Sequence, residues 1–144
     1  MEEKREINLN IIDLLNSKHM LARKTLENKW SEQSNIQISH SEWLIIERLH
    51  GGEQQTIAEV SKIVGITRQG THKLIKKLEE NKLVLTGKMK NNKRKKFVKL
   101  TAFGMDCYEK SKALKESLEK QIQYAIGAEQ VHKLKEILAD DWGI

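Results

Sequence analysis

The sequence predicts a mainly α-helical protein with a small β-wing: a winged helix-turn-helix region flanked by long helices at both ends. Three observations carry this. Two short helical patterns meet at Gly65 and lead into two strand-like runs that bracket the basic tract Lys88–Lys96. Apolar residues recur near a period of 3.6 before and after that region. The 144 residues include no proline and are 32% charged, which favours uninterrupted helices over a turn-rich β architecture.

Taken in order, residues 7–30 place Ile7, Ile11, Leu14, Leu15, Leu21, Leu26 and Trp30 on one helical stripe. Ser39 stands three residues before Glu42, a capping-box spacing that opens a helix carrying Trp43, Leu44, Ile46 and Leu49 and ending at Gly51-Gly52. Thr56 with Glu59 repeats the spacing and opens a short helix that Gly65 stops. Thr67 then caps a helix with Thr71, Leu74, Ile75 and Leu78 on one face and Arg68, Gln69, His72, Lys73 and Lys76 on the other. Residues 83–86 and 97–100 read as two antiparallel strands, with Gly87 and Asn91-Asn92 as turn residues. From Thr101 the helical period returns, with a break near Gly127.

The length fits one domain, and residues 1–144 are expected to form a single unit. No apolar run approaches the ~20 residues of a membrane span, and the start, Met-Glu-Glu-Lys-Arg-Glu, lacks the apolar core of a secretory signal, so a cytoplasmic address without membrane association is expected. The lone Cys107 cannot form an intramolecular disulfide and reads as a packed, inert thiol. None of His19, His40, His50, His72 and His132 pairs with another at i+3 or i+4, so neither a metal site nor a cofactor is expected. With no nucleophile elbow or phosphate-binding glycine loop, an enzyme is not expected either.

Charge is segregated. Residues 62–99 hold 13 Lys/Arg against two acids, while the whole chain carries only +6, so the remainder is net acidic. A concentrated positive face beside acidic flanks suits a polyanion, with counterion release contributing to affinity. Arg68, Gln69 and His72 lie early in the second short helix, where arginine can pair with guanine and glutamine with adenine. Thr67 caps the same turn. Lys73, Lys76 and Lys77 are flexible point charges suited to phosphates. In the wing, Lys93 and Arg94 are the favoured contacts, arginine being the side chain most suited to a narrow minor groove.

Ile38-Ser39, Val60-Ser-Lys-Ile-Val-Gly-Ile-Thr67, Leu74–Val84 and Val98-Lys-Leu-Thr-Ala-Phe-Gly104, in this order and spacing, resemble the MarR family of bacterial winged helix-turn-helix transcriptional regulators. The resemblance implies a homodimer in which residues 7–30 and 105–144 are dimerisation helices and 39–104 the DNA-binding region. It also implies a palindromic double-stranded operator, a repressor role and release by a small-molecule or other signal. Trp30, Trp43 and Tyr108 are then candidates for lining an effector pocket. Two positions depart from the pattern: Asn92 stands where an aspartate usually orients the wing arginine, and Thr71 where a branched apolar residue is usual. The competing readings are a sequence-independent nucleic-acid-binding module, architectural or RNA-binding, and a protein-interaction adaptor.

Overall fold

A computed structural model describes residues 9–52 and 54–144. The chain divides into two compact units, residues 35–112 and residues 1–34 with 113–144. Among the described residues, no helix is long and apolar enough to cross a membrane.

The second of these units contains α1 (Ile11–Gln33), the C-terminal part of α5 (Ala102–Ile126) and α6 (Ala128–Ala139). Helix α1 starts later than the apolar pattern suggests, because Asn10 caps it by accepting from the Asp13 N–H at 3.0 Å; Ile7 lies outside the described residues. Gly127, at φ +100°, interrupts the helical path between α5 and α6 where the sequence predicts a break. Lys135 of α6 pairs with Glu119 of α5 at 3.1 Å. Trp30 and Val131 are buried.

The unit of residues 35–112 is the winged helix. It comprises α2 (His40–Leu49), β1 (Gln55–Thr56), α3 (Ile57–Val64), α4 (Arg68–Glu80), β2 (Val84–Met89), β3 (Asn92–Leu100) and the first turns of α5. Its core is Ile45, Ile46, Leu49, Val60, Ile75, Leu78, Leu83 and Val98, all within 3% of full burial. The capping box at Ser39 forms in both directions: its hydroxyl accepts from the Glu42 N–H at 3.2 Å, and its N–H donates to Glu42 Oε1 at 3.3 Å. At Thr56 only one arm matches, since the hydroxyl accepts from the Glu59 N–H and donates to the Glu59 carboxylate.

The sheet has three strands in the order β1-β3-β2, all antiparallel, where the sequence shows two. The third, β1, is two residues long and too short to leave a period. It is held in place from α2, as Arg48 and Gln55 exchange hydrogen bonds at 3.3 and 3.4 Å. The wing strands also run further than expected, and only Lys90-Asn91 turns between them. Much of the lysine-rich tract is therefore strand rather than loop. The lysines carry little strand propensity of their own; pairing is supported instead by Phe97, whose ring lies so close over Gly87 that a Cβ there would sit 2.6 Å from it.

Helix α4 ends in a Schellman motif. The Leu83 N–H reaches the Leu78 carbonyl and the Lys82 N–H the Glu79 carbonyl, both at 2.9 Å. Lys82 takes the left-handed position at φ +62°, usually given to glycine, and the motif delivers Leu83 into the core.

Candidate nucleic-acid interface

The corner between α3 and α4 is built from short-range chemistry. Gly65 takes φ +75°, its N–H bonding back to the Ser61 carbonyl at 3.0 Å. Ser61 is buried, and its hydroxyl donates to the Ile66 carbonyl at 2.7 Å, so a small residue at this position both permits the close approach and ties the turn. Thr67 then caps α4, accepting from the Gly70 N–H at 3.1 Å. Thr71 is fully buried, and its hydroxyl bonds the Thr67 carbonyl at 2.9 Å, which is how a threonine fits where an apolar residue is usual.

With Thr71, Ile75 and Leu78 turned to the core, the opposite face of α4 is left to solvent. Arg68, Gln69, His72, Lys73 and Lys76 are all exposed on that one helix, as the sequence predicts. Beside them, a groove of about 530 Å³ is lined by Ala58, Glu59, Ser61, Lys62, Gly65, Ile66 and Arg68. Lys62, not singled out from the sequence, shares this groove with Arg68; its position on the exposed side of the bracing helix was the available signal.

The wing supplies the second set of cations. Lys88 pairs directly with Lys96, yet the next pair is Met89 with Asn92, so Lys93, Arg94 and Lys95 face no partner on β2. These three form a bulge, and simple alternation of faces does not apply to them. Asn92 Oδ1 accepts from the Arg94 N–H at 3.0 Å, a local bond that shapes the bulge from the position where an aspartate is usual. Lys93 and Arg94 are both exposed. Lys88 opposite Lys96 is a like-charge pair that disfavours the hairpin in isolation and is relieved by an anion.

Lys77, read from the sequence as suited to phosphates, has a partner within the fold. Its Nζ lies 3.3 Å from Oε1 of Glu42, a carboxylate that is 0% exposed at the start of α2. Sequence reasoning assigned Glu42 only to the capping box. The signal was present, because Glu42 with Ile45, Ile46 and Leu49 follows the i, i+3, i+4, i+7 stripe that faces a core.

The three aromatic pocket candidates do not share one unit: Trp30 is buried in the unit of α1, while Trp43 and Tyr108 are half-buried in the winged helix. Tyr108 stacks on His50 with ring centroids 4.5 Å apart. His50 also lines a cleft of about 350 Å³ with Leu44, Glu47, Arg48, Ile63 and Val64. Cys107 is buried; burial raises its thiol pKa above the ordinary value, the Asp106 charge adds to this and Lys110 opposes it, so little thiolate exists near neutrality. Among the described residues, no group of three His, Cys, Asp or Glu side chains is placed to hold a metal ion.

Residues 38–104 match the family model of a winged helix DNA-binding domain. Among solved structures, the apo form of MarR from E. coli superposes with a TM-score of 0.77 at 18% identity, over 90% of this chain and 94% of that one. The chain has the winged-helix fold of MarR. MepR, a transcription regulator of the Staphylococcus aureus multidrug efflux pump MepA, gives a TM-score of 0.74 at 16% identity over the same shares of both chains. NadR in complex with 4-hydroxyphenylacetate is 27% identical over 87% of this chain and 89% of its own, with a TM-score of 0.59. A search of curated protein sequences found no match. The expected winged-helix DNA-binding region is thus matched by the family model, and the expected fold by the solved structures.

Proposed function

We propose that the chain is a homodimeric, sequence-specific regulator that occupies a palindromic double-stranded operator as a repressor in the cytoplasm and leaves it when an effector binds. The observation that carries the reading is the exposed face of α4, where Arg68, Gln69 and His72 stand together on a helix capped, braced and packed only from its other side. In this reading Arg68 and Gln69 meet base edges, with His72 one turn on. Lys73, Lys76 and Lys62 grip phosphates, Thr67 holds the first turn of the helix, and the Lys93-Arg94 bulge enters the adjacent minor groove.

The homodimer is supported by apolar side chains that the unit of α1 and α6 leaves exposed, among them Ile11, Ile12, Leu21, Ile126, Ile137 and Leu138. Such a surface is costly in water and suits a second copy. NadR was solved with 4-hydroxyphenylacetate and PefR is a heme sensor, so a small-molecule signal is in keeping with the fold; Trp30, Trp43 and Tyr108 are retained as candidate contacts for it. Release requires a ligand that binds the two dimer geometries unequally.

The test is selection from a random-sequence duplex pool at physiological salt, followed by sequencing. A palindrome with half-sites about one helical turn apart supports the operator-binding reading. Retention without any enriched motif replaces it with a sequence-independent nucleic-acid binder, and no retention favours the protein-interaction adaptor.

A further inference from the structure

Helix α4 is tied to its neighbours by two charged side chains, one at each edge of its exposed face. At about 100° per residue, Lys77 and Glu79 fall on opposite sides of the Thr71, Ile75 and Leu78 stripe. Glu79 accepts a hydrogen bond from the Thr86 hydroxyl of β2. Lys77 reaches across to Glu42 of α2. These two attachments differ in kind. Glu79 and Thr86 meet where water competes, whereas the Glu42 side chain is 1% exposed and the Lys77 side chain 54% exposed, so the pair runs from the core to the surface beside the basic face.

The carboxylate is under an electrostatic demand that only a cation meets well. Its Oε1 takes the Ser39 N–H at 3.3 Å together with Lys77, while Oε2 is buried with no hydrogen-bond partner among the described residues. A buried charge left in that state is costly unless a counter-charge stays with it. Lys77 is the cation placed to serve. A lysine so engaged cannot at the same time neutralise a phosphate, although Lys73 and Lys76 on the same helix are exposed and able to do so.

We propose that Glu42 is a specificity-determining residue that acts through Lys77: its buried carboxylate withholds that ammonium from the DNA backbone, limiting sequence-blind attraction and leaving discrimination to Arg68, Gln69 and His72. This rests on the DNA-binding reading above. Glu42 is a positioning residue, since it touches no base or phosphate itself.

The variant Glu42→Gln separates the roles, because glutamine also completes a capping box and so keeps the Ser39 bond while releasing Lys77. On a random-sequence duplex, the slope of log affinity against log salt for Glu42→Gln should be steeper than wild type by about 0.9, one added phosphate contact. Preference for cognate over random DNA should fall together with that change. The double variant Glu42→Gln/Lys77→Gln should return the slope to the wild-type value. A merely structural role for Glu42 changes thermal stability without moving the slope by a unit charge. An unchanged slope in Glu42→Gln overturns the proposal. So does a double variant shallower than wild type by about 0.9, which would mean that Lys77 grips phosphate in the native protein. Should Glu42→Gln fail to fold, Lys77→Gln alone still decides: a wild-type slope is expected, and a slope shallower by about 0.9 overturns the proposal. If wild-type protein binds no DNA at low salt, the regulator reading itself fails; wrong slopes with wild-type binding intact remove only the role of Glu42.

Discussion

The Ser61 hydroxyl donates to the Ile66 carbonyl at 2.7 Å across the corner that Gly65 turns, and it is the side-chain bond that spans the helix-turn-helix angle. The carbonyl it satisfies belongs to the residue just before the Thr67 cap, so the bond joins the end of α3 to the entry of α4. Ser61→Ala removes it without adding bulk and should cost about 1 kcal/mol by urea denaturation. Because the corner aims the recognition face, cognate DNA affinity should drop more than random-sequence affinity. Equal losses on the two DNAs would mean that the bond only stabilises the fold.

Gly104 starts α5 against the end of α4: a Cβ there would collide with the Leu83 carbonyl oxygen. Backbone, rather than a mobile side-chain tip, would have to move. Gly104→Ala is expected to destabilise by about 3 kcal/mol, at the upper end for overpacking. Gly51 has open space around its missing Cβ and no positive φ, so Gly51→Ala should change stability by less than about 1 kcal/mol, possible gain included. Thermal melts of the two variants side by side check the contrast.

Lys82 occupies the left-handed position of the Schellman motif at φ +62°. A lysine there carries a steric cost that glycine does not. Lys82→Gly should raise stability by about 0.5–1 kcal/mol, the relieved strain exceeding the added freedom of the unfolded chain. A lower melting temperature in this variant would contradict the assignment of strain to Lys82.

Thr67 and Thr71 both use their hydroxyls, with different consequences. The Thr67 oxygen accepts from the Gly70 N–H at 3.1 Å, an N–H in the first turn without an intrahelical acceptor, so Thr67→Ala should cost about 1 kcal/mol. The Thr71 hydroxyl donates to a carbonyl that also accepts the Thr71 N–H at 2.9 Å. Thr71→Val leaves that carbonyl bonded and should change stability by less than about 1 kcal/mol. Chemical denaturation of the pair would show whether the cap or the buried hydroxyl matters more.

Arg68 and Lys76 share the exposed face of α4 but are expected to act differently on DNA. Arg68→Ala should cost about 1–3 kcal/mol on cognate DNA and relax one operator position, whereas Lys76→Ala should weaken all sequences nearly alike and make the salt dependence shallower by about one contact. Binding isotherms on cognate and scrambled duplexes at several salt concentrations separate the two. Equal losses for Arg68→Ala on both duplexes would remove it from base reading.

Much of this protein is legible from short-range pattern. Ser39, Thr56, Thr67 and Gly65 mark helix ends within three or four residues of their partners, and the structure places caps at all four. The exposed set Arg68, Gln69, His72, Lys73 and Lys76 follows from helical period once Thr71, Ile75 and Leu78 are recognised as the buried stripe. What depended on residues distant in sequence was decided only by the tertiary structure. The short strand β1 exists because β3 and Arg48 lie beside it, more than forty and seven residues away respectively. The wing extends through its lysines because Phe97 covers Gly87, and it bulges at 93–95 because the pairing register changes between Lys88 and Met89. Glu42 and Lys77 meet across two helices, and that meeting gives the buried carboxylate of a capping residue its counter-ion. Local periodicity reports which face of an element is apolar; which charge finds which, and at what depth, is set by packing between elements that no single stretch of the chain contains.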